Sequence, residues 1–131
     1  MPPITRHSMT GILPMVLALC IAGCSMPQAM PPADGPVADS AAFAALILGR
    51  DLVEDGGDTL LRISGDGSWL ERQRNHIAAS GTWHWGNAGW CHQGRRDGAL
   101  FGPVCAAVTR IGATLRLETP GEPARRFQVV P

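Results

Sequence analysis

The chain has 131 residues, with 11 basic and 11 acidic side chains and a formal charge of zero. This balance, with no basic run, excludes a surface built for nucleic acid or for anionic lipid. The length sets an upper bound of one small domain once any leader is removed.

Met1 to His7 carries one Arg and one His and no acid, and Gly11 to Ala22 is apolar apart from Gly and Pro14. This is the plan of a secretory signal. The apolar run spans about a dozen residues where a membrane-crossing helix needs about 20, so a permanent span is not expected. Ile21-Ala22-Gly23-Cys24 follows, and this segment resembles the lipid-attachment box of bacterial lipoproteins at every position. The resemblance implies diacylation of Cys24, cleavage before it, and removal of residues 1–23 as a signal peptide. Ser25 after the Cys implies an outer-membrane address, with the periplasmic side favoured over the cell surface and the membrane as partner through the N-terminal lipid. The other reading is an ordinary cleaved signal that leaves Cys24 as a free thiol. Two or more acyl chains, at about 0.8 kcal/mol per buried methylene, make a stable anchor.

Residues 24–38 combine this Cys with a Pro- and Ala-rich stretch without hydrophobic periodicity, which reads as a flexible tether. Residues 39–131 remain as the domain. Without Arg6 the mature chain has 10 Arg against 11 acids, a formal charge of −1. Cys20 leaves with the signal and Cys24 is acylated, so Cys91 and Cys105 remain as a pair. In an oxidising compartment that pair favours a disulfide, worth about 3 kcal/mol for a loop of about 15 residues. The spacing to His76, His84 and His92 fits no zinc pattern, and neither metal nor cofactor is implied.

Asp39, Ser40 and the run Ala41 to Leu48 ending at Gly49 predict a short capped helix. Beyond it the period changes. Arg50–Val53, Thr59–Ser64, Ser68–Arg74, Gly81–Trp85, Gly89–Gln93, Val104–Thr109, Thr114–Glu118 and Arg125–Val130 read as strands separated by Gly-rich turns. The expected class is therefore all-β: an antiparallel meander of about eight short strands, closed into a small barrel to avoid open edges, with the helix in front.

A two-residue turn at Asn87-Ala88 would pair Trp85 with Trp90, His84 with Cys91 and Trp83 with His92. Trp83, Trp85, Trp90 and His92 then share a face, and Cys91 lies opposite, where Cys105 can meet it. Three tryptophans on one face predict core packing rather than a ligand cage. The segment Gln93–Pro103 reads as a loop between the braced strands, with Arg95, Arg96, Leu100 and Phe101 as a candidate binding surface. Leu100 and Phe101 could equally fold back and plug a barrel end; both readings stand at this point.

Gly65-Asp66-Gly67 lacks the third Gly of a dinucleotide fingerprint and reads as a turn, and no triad, phosphate-loop or metalloprotease spacing occurs. The expectation is a protein without catalytic residues. Gly81-Thr82-Trp83-His84-Trp85, Gly89-Trp90-Cys91, Gly102, Cys105 and Val108 resemble the frame of a loose family of small exported bacterial β proteins of unassigned function. Leu115-Arg116-Leu117 and the Phe127 strand extend the match from about Phe43 to Val130. Some of those relatives bear a dihydrodipicolinate reductase label, for which this chain has no nucleotide-binding unit, so the resemblance implies architecture and no activity. A second similarity, of fold and address alone, is to periplasmic metalloprotease inhibitors with eight-stranded barrels and one disulfide. Three roles follow as expectations: a non-enzymatic lipoprotein binding an envelope protein or component, a protease inhibitor, or a lipocalin-like carrier.

Overall fold

A computed structural model describes Gly23, residues 33–87 and residues 89–131. The signal peptide and Cys24 lie outside the described residues. The chain divides into Met1–Met30 and Pro31–Pro131, and the second unit carries the fold.

Its elements in order are β1 (Gly35–Pro36), α1 (Ser40–Ile47), β2 (Asp51–Glu54), β3 (Thr59–Ile63), β4 (Ser68–Gln73), β5 (His76–Gly86), β6 (Gly89–Arg96), β7 (Ala99–Ile111), β8 (Thr114–Glu118) and β9 (Arg125–Val130). From β2 to β9 each strand pairs antiparallel with the next, and β9 pairs back onto β2, which closes an eight-stranded barrel. The eight expected strands correspond one to one with β2–β9. Closure leaves no barrel strand with an open edge along its whole length.

The additional strand β1 lies outside the barrel. Where β6 begins, β7 runs on past it, and Gly35 and Pro36 pair with Arg110 and Thr109 on that free stretch. Asp34 Oδ1 accepts from the Gly112 N–H at 2.8 Å and Val37 is buried. The expected tether therefore ends earlier than Ala38. Two residues of ladder carry no periodicity, so composition alone could not reveal them.

Asp39 caps α1 as expected, its Oδ1 accepting from the Ala42 N–H at 2.8 Å. Phe43, Leu46 and Ile47, spaced three and four apart, point into the barrel end and are buried. The Phe43 ring meets Trp83 edge-on at 5.6 Å and lies tilted on Trp85 at 5.0 Å between centroids. Trp83 Nε1 donates to the Ser64 carbonyl at 2.8 Å, which ties the β3–β4 turn to this stopper. The tryptophan face is thus core packing.

The hairpin register also holds: Trp85 opposes Trp90, His84 opposes Cys91 and Trp83 opposes His92. Cys91 and Cys105 are directly opposed on β6 and β7 and form a disulfide, with the inward face left to Trp90, Ala106 and Val108.

Gly81 and Gly94 face each other across β5 and β6 so closely that a Cβ on either would collide with the carbonyl of the other strand, at Gln93 or Ser80. Trp69 sits beside this pair on β4, and its Nε1 donates to the carbonyls of Thr82 at 3.1 Å and Gln93 at 3.2 Å. The small residue that opens the Gly-x-Trp-x-Trp frame permits this contact.

Candidate functional site

The connection between β6 and β7 is two residues long. Asp97 and Gly98 have φ of 49° and 83°, the left-handed pair that a tight hairpin turn requires, and Arg96 pairs with Ala99 across it. Gln93–Pro103 is therefore mostly strand, which corrects the expected loop. Asp97-Gly98 is itself a signal for a two-residue hairpin, set here between the charged pair Arg95-Arg96 and the apolar Ala99-Leu100-Phe101.

Strand parity divides the four candidate residues of this segment into two pairs. Arg95 and Leu100 oppose each other on the outer wall, where Leu100 is 75% exposed and Arg95 Nη1 donates to the Gly98 carbonyl at 3.0 Å. Arg96 and Phe101 share the parity of Trp90 and His92 and point inward. Phe101 meets Trp69 at 5.8 Å and His92 at 5.9 Å, both edge-on. Opposite Gln93 the partner strand carries two residues, Gly102 and Pro103. This bulge resets the alternation, so that Phe101 and Val104 both face in, and it gives Pro103 a position outside the regular ladder. The strand pair thus separates the two residues, Phe101 packing inside the barrel against Trp69 and His92 and Leu100 standing exposed on the outer wall.

Arg96 joins a chain of charges across the barrel end opposite α1. Its Nη1 and Nη2 donate to Glu71 Oε1 and Oε2 at 3.0 and 3.1 Å. Arg125 Nη1 donates to Glu71 Oε2 at 3.1 Å, and its Nε and Nη2 hold Glu54 at 2.7 and 3.0 Å. Glu54, Arg125, Glu71 and Arg96 thus alternate in sign from β2 through β9 and β4 to β6. Such forked pairs are the strong form of charged hydrogen bond. Glu71 is 2% exposed, and Arg125 and Arg96 lie progressively nearer water.

Burial pushes the Glu71 carboxyl up, but the Arg96 and Arg125 guanidiniums outweigh it and hold the group below its ordinary range. Arg125 is held charged above its ordinary value, its own desolvation being outweighed by Glu54 and Glu71. His92 stacks on Trp90 with centroids 3.7 Å apart and planes at 13°. Burial, aided by the two nearby guanidiniums, pulls its pKa down from 6.5 to about 4, so the ring is neutral at neutral pH.

These groups border a cavity of about 420 Å³ that opens at this end of the barrel. Glu54, Glu71, Gln73, Arg96, Glu122 and Arg125 line it together with Trp90, His92, Phe101, Val104, Leu117 and Pro123, and polar and apolar residues are interleaved: the Arg96 guanidinium lies over the Phe101 ring at 5.7 Å and Leu117 pairs with Arg125 across the strands. The Trp90 indole N–H is buried without an acceptor, one of two such side-chain atoms among the described residues. A buried donor left unmade costs about 1–3 kcal/mol.

Glu54, Glu71 and Arg125 escaped the sequence reading, although parity carried the signal. Glu71 is two residues from Trp69, Arg125 two from Phe127, and Glu54 two from Leu52, so each charge shares the inward face of a buried apolar residue.

No protein-family model, curated protein or solved structure matches the chain.

Proposed function

We propose that this chain is a lipid-anchored, non-enzymatic envelope module that binds a small polar ligand in the open mouth of its barrel. The observation that carries the reading is the asymmetry of the two ends. Helix α1 stoppers one end, while the other opens on the cavity of about 420 Å³, within the usual size of small-molecule sites. Its interior below the mouth is filled by Trp69, Leu61, Leu115 and Phe127, which argues against a carrier of a long apolar ligand.

A binding role suits the mouth better than catalysis. Glu71 stays ionised between two guanidiniums, so this buried carboxyl is not poised to donate a proton. The anchor rests on the Ile21-Ala22-Gly23-Cys24 motif.

Two measurements test the reading. Incorporation of labelled acyl chain should occur in a lipoprotein-processing bacterial host and vanish in Cys24→Ala; label that persists refutes the anchor. Native mass spectrometry of the protein, gently extracted from envelopes, should reveal a small non-covalent adduct. Loss of that adduct in a mouth variant such as Thr119→Trp supports the binding reading, and equal occupancy in the variant refutes it.

A further inference from the structure

We infer that the outer wall of β4–β7 docks an extended acidic peptide segment of a partner protein, with a carboxylate on Arg95 and a large apolar side chain on Leu100. The inference does not depend on the mouth, since it concerns the outward residues of the same strands.

Charge is the first support. Glu71 is the only carboxylate within the four strands, and it is buried inside the barrel. Of their four arginines, Arg96 is held by Glu71 and Arg110 lies 3.6 Å from Asp34. Arg72 and Arg95 have no carboxylate partner among the described residues; Arg95 gives one N–H to the Gly98 carbonyl. The flanking turns do not supply one. Asp66 holds Ser68, Asp58 lies against Arg74, and Asp97 forms no ion pair with Arg72 or Arg95. The other half of the wall presents Asp51 and Glu118, which hold Arg62 and Arg116.

The apolar exposure falls in the same place. Leu100 at 75% and Ile77 at 58% are the most exposed large apolar side chains among the described residues. Each stands directly across a strand pair from one of the two arginines without a carboxylate, Leu100 opposite Arg95 and Ile77 opposite Arg72. Arginine beside an apolar anchor is the composition of an interface centre, and the missing negative charge sets the sign of the partner.

A groove of about 510 Å³ gives the shape. It runs over the Gly81–Gly94 contact between Ser80, Thr82, Gln93 and Leu100, and Arg95 is the only charged residue that lines it. A concave groove suits a chain segment better than a flat bilayer, and a formal charge of zero gives no general attraction to anionic lipid. Ser80, Arg95 and Leu100 form one cross-strand row. At about 4.8 Å per strand the row spans about 10 Å, the length of about three extended residues. The fitting segment therefore carries Asp or Glu within two positions of a large apolar residue.

The test selects displayed random short peptides on the full chain in detergent micelles, then titrates the most enriched one into ¹⁵N-labelled protein. Enrichment of acidic-apolar sequences is expected, with saturable shifts of the Arg95 Nε–H and the Leu100 amide. Arg95→Gln should weaken binding about ten-fold, the equivalent of one charged hydrogen bond, and Leu100→Ser several-fold, both at an unchanged melting temperature. The mouth variant Thr119→Trp should bind the peptide as the parent does. Enrichment of basic or uncharged peptides, or equal affinity in Arg95→Gln, overturns the inference. So does selection of no peptide, and flotation with phosphatidylglycerol vesicles that Arg95→Gln abolishes would then assign the wall to a lipid surface instead.

Discussion

At the α1 end the inward positions are Phe43, Ile47, Trp83 and Trp85, whereas at the mouth the same barrel turns Glu54, Glu71, Arg96 and Arg125 inward. The change takes place within single strands. On β4 it lies between Trp69 and Glu71, on β9 between Phe127 and Arg125, and on β2 between Leu52 and Glu54, each a step of two residues or about 7 Å. At the stoppered end, burial of apolar surface stabilises the fold directly. At the mouth the ion pairs only offset the desolvation they require, and well-packed apolar residues would serve stability as well or better. The stopper is therefore explained by folding, whereas stability alone does not account for the charged chain.

That contrast can be broken most forcefully at the stopper. Phe43→Ala removes a fully buried ring that supports two tryptophans and should cost about 3–5 kcal/mol in urea denaturation. A loss below about 1 kcal/mol would mean that α1 is not the stopper. At the mouth, Glu71→Ala leaves Arg96 and Arg125 facing each other without the carboxylate between them. A cost of about 2–3 kcal/mol is expected, less than for a fully buried pair because both guanidiniums keep some access to water. In Glu71→Leu much of that loss should return as packing, while any response to a ligand disappears; full retention of binding would contradict the assignment of the chain to recognition.

The β6–β7 hairpin sharpens the comparison between wall and interior. Phe101→Ser should destabilise by about 2 kcal/mol, and Leu100→Ser by less than about 0.5 kcal/mol. Equal effects would refute the parity described for this strand pair.

The smallest effect is the pH response. His92 in the folded protein has its pKa depressed from 6.5 to about 4, so between these values the unfolded chain binds a proton that the folded one refuses. Stability should fall as pH drops from 6.5 to about 4, and the lowered pKa of Glu71 adds to the loss in acid. His92→Phe should flatten the upper part of that slope in melting experiments; an unchanged slope would place the titration elsewhere.

Much of this was legible along the chain. Asp39 at the helix cap, the eight strand runs, the tryptophan register around Asn87 and the opposition of Cys91 and Cys105 all follow from local signals of period, capping and turn chemistry. The Gly-x-Trp-x-Trp pattern marked the Gly81 position but not its reason, which is the close contact with Gly94 on another strand beside Trp69. The ion chain was harder to read because charges are ordinarily assigned to solvent, and their shared parity with buried aromatics becomes meaningful only when a barrel closes around them.

The sequence by itself determined where the eight strands lie, which face the Trp83–His92 hairpin turns inward, and that Cys91 and Cys105 oppose each other. These follow from interactions within a few residues or across one tight turn. Only the tertiary structure decided that Glu54, Glu71, Arg96 and Arg125, drawn from four strands as far apart as 71 residues in the chain, meet in one mouth. Closure of β9 onto β2 brings them together, and no local rule of spacing encodes a contact made by completing a barrel.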